Sequence, residues 1–326
     1  VKAYADRYNT KQFTVKQFSQ FTGLDLTQCK VLLMNLSING FITYESYRET
    51  AIVKDKLYGY ILANKKKQDY DALRFQSTTT NGDANAELNI YDMDLRMNGI
   101  EKFTVSDSHN VVITPFEGHV LMQKNRDFTF DGSISAGRFR MSGKQCKFSY
   151  DEFKLKIPQM DSMTFFVPSI TDTKTFVLVQ TPIQKLDCEL VIDSSNNKSS
   201  IKKIDGYPML SSLKNSYVYY DYKNIQNGVY TRDKFYYELE PFKIKNMFDF
   251  KTDSIILKGT LHSSGIFPDI NETLVVMKDY SLGFIVETPQ TGYPAYGGKG
   301  KYYNRLDLSL QGLLGAGYLE YVASRS

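Results

Sequence analysis

The stretch Phe128-Thr-Phe-Asp-Gly132-Ser-Ile-Ser-Ala-Gly137-Arg-Phe-Arg-Met141 alternates apolar and polar side chains around a pair of glycines. A period of two gives each segment one apolar and one polar face, the pattern of a half-buried strand. The glycines mark a bend or a close approach of another backbone. The same arrangement returns in Ile255-Ile-Leu-Lys-Gly259-Thr-Leu-His-Ser-Ser-Gly265-Ile-Phe267 and in Leu308-Ser-Leu-Gln-Gly312-Leu-Leu-Gly-Ala-Gly317-Tyr-Leu-Glu-Tyr321. Gly132, Gly137, Gly259, Gly265, Gly312 and Gly317 are therefore expected to shape a recurrent β unit.

Working outward, short strands are expected at a spacing of about ten residues. They fall at Val120–Met122, Phe128–Phe130, Arg138–Met141, Phe148–Tyr150, Phe153–Ile157, Phe165–Val167 and Thr175–Val179. Upstream, Ala86 to Met97 reads as a strand whose register shifts near Tyr91, which predicts a bulge. Asn98-Gly99 is a turn signal, and Phe103–Val105 and Val111–Ile113 give two further strands. Tyr217 to Tyr222 and Gly228 to Leu239 read as a wide hairpin with aromatics on both faces, ended by Pro241. The expected class is mainly β: a repeat-built antiparallel sheet, as a solenoid, groove or sandwich, with a small N-terminal α+β helical module. Three regions are expected: residues 1–71, 72–180 and 181–326, the strand pattern continuing past the last of them.

The front is the helical part. Thr14-Val-Lys-Gln-Phe-Ser-Gln-Phe21-Thr-Gly23 places Val15, Phe18 and Phe21 near one face, with Thr14 as N-cap and Gly23 as stop. Thr27 to Asn39 follows, carrying Val31, Leu32, Leu36 and Ile38, and then a strand at Phe41–Tyr44. Two short helices followed by Gly-Phe-Ile-x-Tyr resemble a winged-helix module over about Asn9 to Leu62. That resemblance implies a second helix entering the major groove, with Lys16, Gln28, Lys30 and Asn35 as nucleic-acid contacts. Only cationic Lys30 among the helix's polar residues could neutralise phosphate there, so protein contact or packing is the heavier expectation.

The bulk composition agrees with β structure. The chain has 24 Tyr, 21 Phe and no Trp, and 14% of it is aromatic, which suits pleated, half-buried surfaces. A net charge of +4, from 40 Lys and Arg against 36 Asp and Glu, argues against a dedicated polyanion binder. Lys65-Lys66-Lys67 is the one tight basic run and reads as a solvated linker. Cys29, Cys146 and Cys188 lie far apart without metal-ligand spacing; buried thiols are the plain reading, with one disulfide left open. No leader precedes Val1 and no apolar run reaches the length of a spanning helix; because a strong strand pattern runs almost to Ser326, the sequence reads as an excerpt of something longer.

Reactive constellations are sparse. Gly297-Gly-Lys-Gly300 lacks the spacing of a phosphate loop and precedes a strand, so it reads as a turn. His109, His119 and His262 have no partner at ligand spacing, and Ser108-His109-Asn110 sits in a turn. Asp92 with Asp94 and Glu238 with Glu240 are same-face pairs rather than carboxyls facing across a cleft. No cofactor is implied and no metal or catalytic residues are assigned. The tyrosines have more to offer: Tyr217, Tyr219, Tyr220, Tyr236 and Tyr237 are candidates for contact with a partner or a glycan.

Several later phrases resemble segments of very large cell-envelope β-repeat proteins of Bacteroidota-type bacteria. They are Gly206-Tyr-Pro-Met-Leu-Ser, Ser216-Tyr-Val-Tyr-Tyr-Asp221, Gly228-Val-Tyr-Thr-Arg-Asp-Lys-Phe-Tyr, Glu240-Pro-Phe242, Asp279-Tyr-Ser-Leu-Gly-Phe284 and Tyr296-Gly-Gly-Lys-Gly300. The likeness covers about Phe103 to Ser324 and is broadly similar to groove-forming envelope proteins of the AsmA and TamB type. It implies an extracytoplasmic, non-enzymatic scaffold that offers a β surface or groove to an envelope protein, a glycan or a lipid. A nucleic-acid-binding regulator acting through the front module and a carbohydrate-binding module or carbohydrate-active enzyme are the alternatives.

Overall fold

Alternation becomes strand in the stretches that carry the glycine doublets and the tyrosines. In Phe128–Ala136 every even-numbered position is buried and every odd one is not, and in Phe235–Leu239 burial alternates in the same way. The computed structural model describes residues 1–65, 73–80, 82–198, 204–252 and 255–321. Lys66 and Lys67 of the basic run lie outside the described residues, as does Ser254. Strands hold 45% of the chain and helices 15%, with a large antiparallel sheet, so the class is mainly β.

The chain divides into two units: Val1–Asp131 with Lys147–Leu155 and Val191–Asp205, and Gly132–Cys146 with Lys156–Leu190 and Gly206–Ser326. This differs from the boundaries expected at 71 and 180. The division passes through strands such as Phe128–Ala136 and Phe139–Ser149, where composition gives no signal.

The first unit opens with α1 (Lys2–Tyr8), β1 (Gln12–Thr14), α2 (Val15–Thr22), α3 (Leu26–Ile38), β2 (Ile42–Glu45), β3 (Thr50–Val53) and α4 (Asp55–Lys65). The three strands form an antiparallel sheet in the order β1-β3-β2. Helix α2 starts because the Thr14 hydroxyl accepts from the Gln17 N–H while the Gln17 side chain accepts from the Thr14 N–H. Asp25 and Gln28 repeat this box at the start of α3. Each box is worth about 1 kcal/mol. Gly23, at φ 73°, closes α2 in the left-handed region that glycine enters without steric cost.

Tyr4, Phe13, Val15, Phe18, Cys29, Leu33, Ile42, Tyr44, Ala51 and Val53 form the core of this module, with Phe21 and Leu36 packed against it. One correction concerns α3. Its buried face is Cys29 and Leu33, whereas Val31 and Ile38 point outward and are 58% and 66% exposed.

A second correction concerns residues 86–97. They are a hairpin and not one bulged strand: Ala86–Leu88 pairs antiparallel with Leu95–Met97. The Asn89 N–H donates to the Asp94 carbonyl, and Met93 takes a positive φ of 63° in the loop between. Leu95–Met97 pairs with Val120–Met122, and Val120–Met122 with the start of Phe128–Ala136. Phe75, Phe103, Phe128, Phe130, Phe148 and Phe153 interlock beneath these strands at centroid distances of 4.5–6.0 Å.

The second unit is a run of antiparallel neighbours. Ile183–Val191 pairs with Ser216–Tyr219, which pairs with Phe235–Leu239, which pairs with Leu257–Ser263. Leu257–Ser263 continues to Ile270–Val276, Leu282–Glu287, Gly300–Ser309 and Gly312–Tyr321. What read as separate strands at Phe153–Ile157 and Phe165–Val167 is one long strand, Lys154–Pro168, which runs through Pro158.

Each glycine doublet combines a strand position with a turn. Gly132, Gly259 and Gly317 sit within strands; Gly137, Gly265 and Gly312 take positive φ of 58°, 77° and 94° where the chain reverses. At Gly259 a Cβ would fall on the carbonyl oxygen of Glu238 and against the Tyr237 ring, so only glycine lets that ring lie across the strand.

Candidate binding surface

Register decides which tyrosines reach solvent. In Ser216–Tyr219 and Phe235–Leu239, Val218, Phe235, Tyr237 and Leu239 face inward, and Tyr217, Tyr236 and Glu238 face outward. Two expected contacts are withdrawn because they face inward, and a third, Tyr219, because it is 4% exposed beneath Arg232. Tyr220 and Tyr237 are fully buried; the Tyr220 hydroxyl donates to the Leu282 carbonyl over 2.8 Å, and the Tyr237 hydroxyl to the Glu272 carbonyl. Burial holds both phenols well above their ordinary range.

The outward side chains fall into two parallel rows. Tyr219 pairs with Tyr236 and Tyr236 with His262, which makes a row of rings across three strands. The Tyr236 and His262 centroids are 4.8 Å apart. In the adjacent row Gln184 pairs with Tyr217, Tyr217 with Glu238, Glu238 with Thr260 and Thr260 with Asn271. This second row is a line of amides, hydroxyls and a carboxylate. Tyr217 joins the two, stacked on Tyr219 at 5.9 Å and edge-on to Tyr236 at 5.8 Å.

Cations close the patch. The Arg232 guanidinium lies 4.2 Å over the Tyr219 ring, which leaves Tyr219 4% exposed, and makes a two-pronged bond to Asp221 at 2.8 and 3.2 Å. Lys185 lies 5.7 and 5.5 Å from the Tyr217 and Tyr219 centroids. Glu238 Oε1 accepts from the Asn215 amide at 3.0 Å and the Tyr217 hydroxyl at 3.4 Å, and Oε2 lies 3.4 Å from His262 Nε2. The Asn215 hydrogen bond, aided by His262 and Tyr217 against the cost of partial burial, holds the Glu238 carboxyl below its ordinary range. Partial burial, with the nearby Glu238 charge, pushes the Tyr217 phenol up.

Sequence reasoning missed His262, Arg232, Lys185 and Gln184. The alternation Thr260-Leu261-His262 does put His262 opposite the buried leucine. Its neighbour across the strand, however, depends on a pairing register that a single strand does not carry.

The glycine-rich turn at 297–298 precedes strand Gly300–Ser309, so no helix N-terminus is there to hold phosphate. His109 is fully buried, and Ser108 Oγ at 3.0 Å, Ser106 Oγ at 3.3 Å and Asp193 Oδ2 at 3.3 Å all meet the same nitrogen, Nδ1. A relay needs the nucleophile on one nitrogen and the carboxylate on the other, so this cluster is wired for packing. Asp92 and Asp94 line an open cleft of about 380 Å³ with Glu45, Lys54 and Lys124. Among the described residues no group of three or more His, Cys, Asp or Glu is placed to hold a metal ion, and no helix is long and apolar enough to cross a membrane. Cys29, Cys146 and Cys188 are buried free thiols, and burial pushes Cys188 up.

In the front module Lys16, Gln28, Lys30 and Asn35 are all exposed. Lys30 is held by Glu49 at 2.5 Å, and the Gln28 side chain caps its own helix. The structure gathers no cationic face on α3. No family model, curated protein or solved structure matches this chain.

Proposed function

We propose that this chain is a non-enzymatic binding scaffold and that the tyrosine face of its second unit contacts a glycan. The observation that supports the reading most is the pair of rows. Tyr236 and His262, with Tyr217 edge-on to Tyr236, present half-buried rings, and Gln184, Glu238, Thr260 and Asn271 form a parallel line of hydrogen-bonding groups one register step away. A sugar presents the same two chemistries, an apolar face of C–H groups and an equatorial belt of hydroxyls. Rings with a polar edge suit such half-wet contact. Resemblance of the later phrases to envelope β-repeat proteins supplies the extracytoplasmic setting, in which glycans are abundant.

The nucleic-acid reading has less support, because α3 turns apolar side chains outward and its one lysine is paired. Catalysis has less support because His109 is sealed and His262 lies between two carboxylates, Glu238 and Asp269, with no nucleophile on it.

The test is binding of the full chain to a panel of soluble oligosaccharides and to isolated peptidoglycan sacculi. Tyr236→Ala is expected to weaken binding about tenfold, the scale of one aromatic contact. No retention on any glycan, or binding indifferent to Tyr236→Ala and Glu238→Ala, overturns the reading.

A further inference from the structure

Strand Ile183–Val191 breaks its own alternation beside the tyrosines. Ile183 and Leu186 are buried, and the two residues between them, Gln184 and Lys185, both turn away from the core. A regular strand would bury one of the two. Lys185 takes a positive φ of 57°, so an extra residue is inserted here as a β-bulge. Most other left-handed non-glycine residues of the chain lie in turns and loops, whereas this one lies inside a strand. Glycine would hold such a bulge without strain, yet a lysine stands there. The bulge sets two N–H-bearing side chains next to each other on the outer face, beside Tyr217, the cross-strand partner of Gln184.

We propose, on the basis of the glycan reading above, that this bulge is the anion-recognising end of the tyrosine face and that the glycan it selects is acidic, a saccharide carrying a carboxylate. The charges of the face point that way. Arg232 is bonded to Asp221, and His262 stands between Glu238 and Asp269. On the bulged strand itself Asp187 is held by Lys214 at 2.6 Å. Lys185 lies 5.7 and 5.5 Å from the Tyr217 and Tyr219 centroids and, among the described residues, has no carboxylate within ion-pair distance. The rings take one side of its ammonium, which carries three donors. Beside it the Arg232 guanidinium donates to Gln184 Oε1 at 3.2 Å, which commits the amide oxygen and leaves the amide N–H groups to donate.

The row is also polar along its length. From Gln184 through Tyr217 it reaches Glu238 after two strand spacings, about 10 Å. Donors and a cation stand at one end and a carboxylate further along, so an anionic group is drawn to the bulge and repelled from Glu238. An acidic sugar is thereby set in one orientation. A carboxylate offers two oxygens in one plane, which matches an ammonium and an amide side by side. Lys185 is exposed, so the contact is modest and sensitive to salt.

Calorimetric titration of the full chain with oligomers of galacturonate, glucuronate and mannuronate, each beside its methyl ester, tests this, since the two forms of each sugar differ in charge. At low ionic strength at least one uronate is expected to bind about fivefold more tightly than its ester, the scale of one exposed ion pair, and added salt should narrow the gap. Lys185→Gln should remove the preference and Lys185→Arg should keep it. Lys185→Gly is the second variant: it relieves the left-handed strain, so it should melt no earlier than the unaltered protein and still lose the preference. Equal binding of acid and ester, a preference that survives Lys185→Gln and Lys185→Gly, or binding of neutral oligosaccharides with none of any uronate overturns the proposal and leaves the glycan reading standing. Tighter binding of a sulfated oligosaccharide than of every uronate overturns the choice of carboxylate. Binding of no saccharide, acidic or neutral, overturns the glycan reading and this proposal with it.

Discussion

Helix α3 and strand Phe235–Leu239 share a property that separates them from most of the molecule: each carries apolar or aromatic side chains on two faces. They differ in what the second face does. On the strand the outer rings lie against one another, and Arg232 and Lys185 cover Tyr219, so the sheet shields part of its own outward aromatics and leaves Tyr217 and Tyr236 half-buried. On the helix Val31, Met34 and Ile38 have no such cover. Cross-strand neighbours lie about 5 Å apart and can shield one another, whereas successive residues on one face of a helix project from a convex surface. A second apolar face can therefore be shielded within a sheet, while on a helix it stays open to solvent.

The comparison breaks most severely at Gly259, because the inner packing of the strand depends on it. Gly259→Val would drive a side chain into the Glu238 carbonyl and the Tyr237 ring. A loss of about 4 kcal/mol or more, seen as failure to accumulate folded protein, is expected. A folded variant with an unchanged melting curve would show that the Tyr237 ring does not need this gap.

On the helix the two faces should separate cleanly. Leu33→Ala empties a fully buried position and should cost about 3 kcal/mol. Ile38→Ala should stay within about 0.5 kcal/mol in dilute solution, since its side chain is 66% exposed. Chemical denaturation at low protein concentration measures both. Equal costs would mean that Ile38 is as well covered as Leu33.

The strand offers the matching pair at smaller scale. Tyr237→Phe removes the hydroxyl that donates to the Glu272 carbonyl and should cost about 1 kcal/mol. Tyr236→Phe leaves the row of rings in place and should change stability by no more than about 0.5 kcal/mol. Reversed costs would reverse the assignment of inner and outer faces.

These contrasts also show what could be read from sequence. Alternation gave the strands, because a period of two needs only the residues themselves, and Thr14 with Gly23 bracketed α2 because caps are local chemistry. The face of α3 was not legible: Cys29, Val31, Leu32, Leu33, Met34, Leu36 and Ile38 leave no polar side to orient it, so periodicity could not choose between Leu33 and Ile38. Residues 86–97 read as one strand because the hairpin loop itself contains Ile90, Tyr91 and Met93, three apolar residues that look like strand and are exposed. Within the candidate surface, Tyr217 and Tyr236 followed from alternation. Their neighbours His262 and Gln184 followed only from pairing register, which depends on contacts far apart in the chain.

The gentlest test of the outer face is its response to acid. In the folded chain the Glu238 carboxyl, bonded to Asn215, Tyr217 and His262, sits below its ordinary value of 4.5. The folded protein thus binds this proton less readily than the unfolded chain does. Its contribution to stability is complete above that ordinary value and is lost as pH falls through the lower folded value. The side chain is 30% exposed, so water screens the effect to about a few tenths of a kcal/mol. Glu238→Gln removes the titration, and the difference in melting temperature between the two proteins should narrow as pH drops below 4.5. A gap that stays constant or widens in acid would mean that the carboxylate gains nothing from its three neighbours, and that the polar row is a lattice of independent side chains rather than a connected one.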